Sequence, residues 1–267
     1  MSELPAFARA TRVEKIAEGH FRLEVPSGWE QGRGAFGGLT LGVLVRAIEA
    51  CEPERERVVR TVSGEIAGPV VPGAAEIRVT PLRRGKNQSN VRADFVQGGG
   101  VMATASVVLS APRSAQAAPV ERPLGAHASF ESLSPLVLWE GSPAKFAQHF
   151  EYRLVEGIPF SGGVAPVARG WVRLAEPLAE MDAPGVIAHL DAWWSAILSV
   201  ERAPRAFATI TFLAELLVDP RELDPREPFF HDARVLASAG GFVVEERALY
   251  QRGRLVAMNH QTFAMLT

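Results

Sequence analysis

The chain has a single cysteine, Cys51, in 267 residues. One thiol excludes a disulfide within the chain and any metal site built from several thiolates. It fits a reducing, cytoplasmic setting, which is the expected location. No uninterrupted apolar stretch approaches the ~20 residues that span a bilayer. The opening segment MSELPAFARATRVEK has no apolar run of the secretory-leader type. Neither sign of charge is in excess: 28 Lys+Arg against 30 Asp+Glu leave a formal charge of −2, too little to drive binding to nucleic acid or an anionic membrane. HExxH, CxxC, the GxSxG elbow and a Walker-type loop are all missing. Neither a metal nor a cofactor is therefore expected.

What is present is a core-forming composition, 47% hydrophobic, enough to bury a substantial interior. The order of elements repeats. Short strands over 12–17 and 20–25 precede a glycine-rich segment, 32–38 (GRGAFGG), and an apolar helix over 39–51. Strand patterns follow at 58–66, 74–82, 88–96 and 101–109. The second half has strands at 150–155 and 169–174, a helix over 184–200, then strands at 207–217, 229–238, 242–247 and 255–263. Pro184 suits a first helical turn. An Ala-, Pro- and Ser-rich stretch from 111 to 123 reads as linker, and 125–141 as a loop or short helix. The expected organisation is a unit over 1–111, a connection over 112–143 and a second unit over 144–267. Each unit is α+β, a long helix lying on an antiparallel sheet.

The residue that matters most is Asp191, the only acid in PGVIAHLDAWWSAILSV. A helix over 184–200 would put Ile187, Leu190, Trp194, Ile197 and Leu198 on one arc, with Asp191 at its edge. A carboxylate beside a packed face is costly unless partnered, so it is either held by structure or used for chemistry. Strand alternation places Thr209, Thr211 and Leu213 on one face, and Asn259, Gln261 and Phe263 on another. If both faces look at the helix, Asp191, Thr209 and Gln261 converge on one water: the carboxylate takes its proton, the other two orient it. Spacing alone leaves this open, since Thr is common in strands and Gln261 reads equally well as solvent-facing. Gly32, Gly34, Gly37 and Gly38 read either as close backbone approach at a helix start or as amides exposed to an anion or carbonyl oxygen. Arg83, Arg84 and Lys86 form a basic hairpin turn, either solvated charge or a phosphate contact.

These segments resemble the double-hotdog acyl-CoA thioesterases of the thioesterase II (TesB-like) group, in the thioesterase-like superfamily. The resemblance rests on AFGGLTLGVLVRA (35–47) and RRGKNQSNVRADFVQGGGVMATASVVL (83–109) in the first half. HLDAWWSAIL (189–198), ATITF (208–212) and LVAMNHQTFAML (255–266) carry it in the second. It spans nearly the whole chain, and the order of the short motifs is more specific than any one of them. It implies two tandem hotdog units, each a curved antiparallel sheet around a central helix. It implies hydrolysis of a hydrophobic acyl-CoA by a water held by Asp191, Thr209 and Gln261, with no covalent enzyme intermediate. Amides near Gly37–Gly38 or at Gly185 would polarise the thioester carbonyl, and Arg83, Arg84 and Lys86 would meet the phosphates of CoA.

The first-half helix has no matching acid and the last first-half strand no Gln, so one site per chain is expected, with Thr61 standing for Thr209. Thr211–Phe212 replace the acidic and histidine residues common in that strand of the family. The alternative is therefore a non-catalytic protein that binds an acyl ligand on the same fold. A hydratase is disfavoured because His189 and Asp191 do not share a helix face. The sheet edges and large apolar face predict a homo-oligomer.

Overall fold

The computed structural model describes residues 4–113, 118, 120–137 and 141–266. In the first half, α1 (Ala6–Ala10), β1 (Glu14–Ala17) and β2 (His20–Val25) lead to a miniature hairpin, β3 (Glu30–Gln31) and β4 (Gly34–Ala35). Helix α2 (Gly37–Ala50) follows, then β5 (Val58–Ile66), β6 (Gly73–Arg84), β7 (Gln88–Gln97) and β8 (Gly100–Ser110). The second half has β9 (Phe150–Glu156), β10 (Val167–Leu174), α3 (Ala183–Asp191), β11 (Phe207–Leu216), β12 (Phe229–Ala239), β13 (Phe242–Gln251) and β14 (Arg254–Met265). The connecting segment 112–143 falls partly outside the described residues, at 114–117, 119 and 138–140. Its described part holds one short 3₁₀ helix, Phe130–Ser132. There Arg153 lies over the Phe130 ring at 3.9 Å and donates to the Phe130 carbonyl at 2.8 Å, tying the segment to the second sheet half.

Twelve strands form one sheet in the order β1-β2-β6-β7-β8-β5-β11-β14-β13-β12-β10-β9. Read outward from the β5–β11 seam, each half repeats the same sequence of strands, so the duplication expected from element order is a property of the fold. α2 packs on β5, β6, β7 and β8, α3 on β13 and β14, and the two helices pack on each other. This is the double hotdog arrangement. The helices are mostly apolar because both lie inside: from Gly37 to Ile48 only Arg46 is more than marginally exposed, and every residue of α3 is buried, His189 and Asp191 included.

The helices run antiparallel. An added Cβ on Gly38 would meet the Ala188 Cα at 2.9 Å and the Phe36 ring at 2.5 Å, while one on Gly42 would meet Phe7 at 3.3 Å and Pro184 at 3.6 Å. Phe36 cannot swing away, being stacked on Phe146 with ring centroids 4.3 Å apart. Gly38→Ala is therefore expected to cost about 1–3 kcal/mol through overpacking. Gly42→Ala should stay within ~1 kcal/mol of wild type, helix propensity offsetting a mild contact. Denaturant unfolding of the two variants checks the contrast.

α3 is shorter than the sequence pattern predicts: it stops at Asp191, and only a 3₁₀ helix, Ala196–Ser199, continues the run. The reason lies in partners from elsewhere. The Leu190 carbonyl accepts from Arg247 Nη1 at 2.9 Å and the Ala192 carbonyl from the Tyr152 hydroxyl at 3.0 Å. The Ala196 N–H donates to Glu245 at 2.7 Å. Side chains from the sheet thus take groups that a further helical turn would have paired.

Candidate active site around Asp191

Ending α3 at Asp191 brings its carboxylate to the start of α2. Gly37 and Gly38 are the first two residues of that helix, and its N-cap, Phe36, offers no side-chain cap. Gly38 N–H instead donates to Asp191 Oδ2 at 2.7 Å. A carboxylate there satisfies an orphan amide and faces the positive end of the helix dipole. The approach needs glycine: a Cβ on Gly37 would lie 2.8 Å from Asp191 Oδ2. Close backbone approach is thus one role these glycines fill.

The second carboxylate oxygen, Oδ1, accepts from Gln261 Nε2 at 3.0 Å. Gln261 is buried on β14, as are Asn259 and Phe263 on the same face. Arg247 Nη1 stands 3.9 Å from Oδ1, and Arg247 Nε donates to Glu245 Oε1 at 2.8 Å. The other Glu245 oxygen accepts from Ser195 Oγ at 2.8 Å. Asp191, Glu245 and Arg247 are all buried, Asp191 being 5% exposed. Two unit charges about 4 Å apart interact by roughly 4 kcal/mol at an effective dielectric of 20. Burial pushes the Asp191 carboxyl above its ordinary range; Arg247, Gln261 and Gly38 oppose that push, and Glu245 adds to it. The result is a carboxylate that binds a proton more readily than one in water. Three polar atoms near this network have no protein partner: Arg247 Nη2, Asn259 Oδ1 and Gln261 Oε1.

Thr209 is placed differently from the alternation pattern. A β-bulge between Thr209 and Thr211 shifts the register, so Thr209 opposes Phe263, and Phe212, not Thr211, opposes Gln261. Thr209 therefore lies one row along the same inner face, while Leu213, 39% exposed, points outward. Thr209 is only part-buried and makes no hydrogen bond to Asp191 or Gln261. The matching bulge on β5 lies between Val59 and Thr61, which makes Val59 the counterpart of Thr209 and Thr61 that of Thr211.

The remaining expected residues fall elsewhere. The Gly185 N–H donates to its own N-cap, Asp182, at 2.8 Å, so this amide is already engaged within α3. The 83–86 turn lies beside the far end of α2, where Arg84 donates to the Cys51 carbonyl at 2.8 Å. That is roughly 20 Å along the helix from Gly38 at 1.5 Å per residue. Arg83, Arg84 and Lys86 are exposed there, and the structure does not bring them to Asp191. His189 turns away: its Nδ1 lies 2.7 Å from the Gly185 carbonyl and its ring packs between Phe150 and Phe229. Trp193 is buried against Tyr152 and stacked on His231, and Trp194 donates to the Gly157 carbonyl at 3.1 Å.

Glu245 and Arg247 escaped the sequence reading. Their signal was opposite charges two residues apart on a strand, sharing one face with Val243. The register also shows what the first half has in their place. Following β5–β8–β7 against β11–β14–β13, Gln261 matches Val107, Asn259 matches Ala105, Glu245 matches Val91 and Arg247 matches Ala93. Counted from the first residue of each helix, Asp191 matches Val45. One half carries a buried polar cluster, and its twin is filled by Val and Ala. Among the described residues no group of three or more His, Cys, Asp or Glu could hold a metal ion. No described helix is long and apolar enough to cross a membrane.

The two-unit hotdog sheet is the architecture of double-hotdog proteins, and family models then give the class, acyl-CoA thioester hydrolases. Family models match both units: the acyl-CoA thioesterase N-terminal domain over residues 25–110 and the acyl-CoA thioesterase C-terminal domain over residues 121–265. The chain belongs to the acyl-CoA thioesterase family. It is similar to a hot dog fold protein of unknown function from Alicyclobacillus acidocaldarius, with TM-score 0.89 and 21% identity over 98% of both chains. A putative thioesterase II from Thermobifida fusca matches with TM-score 0.86 and 19% identity over 100% of both chains. The acyl-CoA thioesterase II TesB2 from Mycobacterium marinum matches with TM-score 0.76 and 15% identity over 98% of both. No curated protein sequence matches the chain.

Burial holds the His189 imidazole neutral, with its pKa lowered to about 4 from 6.5. A depressed histidine means the unfolded chain takes up the proton first, so stability falls as pH drops from 6.5 towards 4. His189 alone should contribute a loss of about 3 kcal/mol across that window, at 1.36 kcal/mol per pKa unit. His189→Gln, which keeps an amide donor for the Gly185 carbonyl, should flatten the acid limb of stability measured by urea titration across this range.

Proposed function

We propose that the chain hydrolyses hydrophobic acyl-CoA thioesters to the free acid and CoA, with Asp191 as general base. The observation that carries this reading is the pairing of Asp191 with Gln261 at 3.0 Å and Gly38 at 2.7 Å, in the only half whose inner face is polar at these positions. Asp191 takes a proton from water as the water oxygen attacks the thioester carbonyl carbon. The C–S bond breaks, and the thiolate of CoA leaves and is protonated. Gln261 holds Asp191 through Nε2, and its unpartnered Oε1 is free to accept from the same water. Thr209, one row along, is the third candidate for orienting that water. The Gly37–Gly38 end of α2 supplies the positive dipole for the developing oxyanion. The basic turn at Arg83, Arg84 and Lys86 is retained only as a candidate contact for the distal phosphates of CoA.

A second reading has an observation of its own. Asp191 already caps α2, which is a sufficient structural reason for a buried acid, and this favours a non-catalytic protein that binds an acyl ligand. Thiol release from a panel of acyl-CoA substrates separates the two. Hydrolysis supports the first; thermal stabilisation by acyl-CoA without thiol release supports the second.

Asp191→Asn keeps an oxygen for the Gly38 amide and removes the base. It is expected to fold and to lose activity by about 10²-fold or more. Because the Asp191 pKa is raised in the folded protein, the wild type loses stability as pH climbs through that pKa. The Asn variant should therefore gain in melting temperature over wild type as pH rises. Wild-type turnover in this variant would remove Asp191 from the mechanism.

A further inference from the structure

Arg247 is a fully buried guanidinium beside the buried acid, and the hydrolytic step as described uses no part of it. We propose that Arg247 is a positioning residue for hydrolysis: clamped by Glu245, it holds Asp191 in the ionised form that a general base requires. This rests on the reading of Asp191 as the base.

The geometry separates two kinds of contact. The 3.9 Å from Arg247 Nη1 to Asp191 Oδ1 is too long for a hydrogen bond. Arg247 therefore acts on Asp191 by charge, while Gln261 and Gly38 supply the hydrogen bonds. The guanidinium cannot swing closer without cost. Nε is bound to Glu245 at 2.8 Å and Nη1 to the Leu190 carbonyl at 2.9 Å. Glu245 is fixed in turn by Ser195 Oγ and the Ala196 N–H. One cation is thus divided between two carboxylates, and Glu245 has the direct bond.

Among the described residues no other cation competes for the part. On α3, His189 is turned to the Gly185 carbonyl. On β9, the Tyr152 hydroxyl donates to Ala192. On β12, His231 lies near Arg247 and is kept neutral by burial and by that charge. β14 contributes the amides Gln261 and Asn259, and α2 its Gly38 amide. The twin half makes the same point independently: where Val45 stands for Asp191, Val91 and Ala93 stand for Glu245 and Arg247. The ion pair occurs in the half that has the acid and not in the half that lacks it.

The test titrates Asp191 directly, by carbon NMR of protein labelled with 13C-aspartate and assigned with Asp191→Asn. kcat/KM is recorded against pH in parallel by thiol release. Arg247→Met is expected to raise the Asp191 midpoint by about one pH unit or more, so that kcat/KM below the midpoint falls about tenfold. The acid limb of the activity profile should move with it. Glu245→Gln is expected to shift the midpoint the other way, and Arg247→Lys to restore part of the loss. Opposite shifts follow from the two charges; an acid limb of kcat/KM that moves with the Asp191 midpoint is the readout a merely structural pair would not give. If Arg247→Met leaves Glu245 buried without a counter-charge and does not fold, the double variant Glu245→Gln/Arg247→Met removes both charges together. That variant should show a smaller upward shift. An unmoved Asp191 midpoint in a folded variant lacking Arg247, or shifts of the same sign in the Met and Gln single variants, overturns the proposal. Shifts as expected with no thiol release from any form would sink the reading of Asp191 as a base, and would leave the control of its charge by Arg247 supported.

Discussion

A buried carboxylate must be met on all sides or not be there, and Asp191 is met from three elements outside its own helix. Gly38 comes from α2, Gln261 from β14 and Arg247 from β13. The first of these belongs to the other half of the chain. The contact therefore does more than satisfy an acid: it fixes how the two central helices cross. It requires Gly37 to be without a side chain, the close helix crossing requires the same of Gly38, and α3 must end where it does. Removing one partner of a buried ionic network costs more than never having built it, which explains why the demands reach so many elements.

The repeat makes the local chemistry easier to interpret. The two halves share strand order, bulge position and helix placement, so each polar residue of one half can be set against its twin. The twins of Gln261, Asn259, Glu245 and Arg247 are Val107, Ala105, Val91 and Ala93. The same scaffold is thus stable with either filling, and the polar filling is not a requirement of the fold. The polar filling distinguishes the second half from the first without changing the strand order they share.

Much of the architecture was legible from alternation and turn residues. The strands at 20–25 and 58–66 were delimited as found: the first alternates along its length between Gly19 and Pro26, the second from Val62 to Glu65. Asp191 was legible as an odd acid at the edge of an apolar arc, while Gln261 read equally well as a solvent-facing strand residue until the fold buried it. Three things were not legible. The end of α3 is set by Arg247, Tyr152 and Glu245, which lie far off in sequence. The face of Thr209 is set by a bulge that an alternating TIT run does not announce. The unit that surrounds Asp191 includes a Glu and an Arg that resemble any charged pair on a half-exposed strand until the register places them inside.

The Val- and Ala-filled twin of the Asp191 cluster is a one-way barrier in physical terms. To rebuild a polar site there, a lineage would need an acid at Val45, an amide at Val107 and an ion pair at Val91 and Ala93. Each taken alone would bury a group with nothing to meet it. Every single step towards a polar site there is uphill. A partnered polar cluster in the first half would have to arise in several positions together, so the asymmetry between the two halves is protected by the cost of each isolated step.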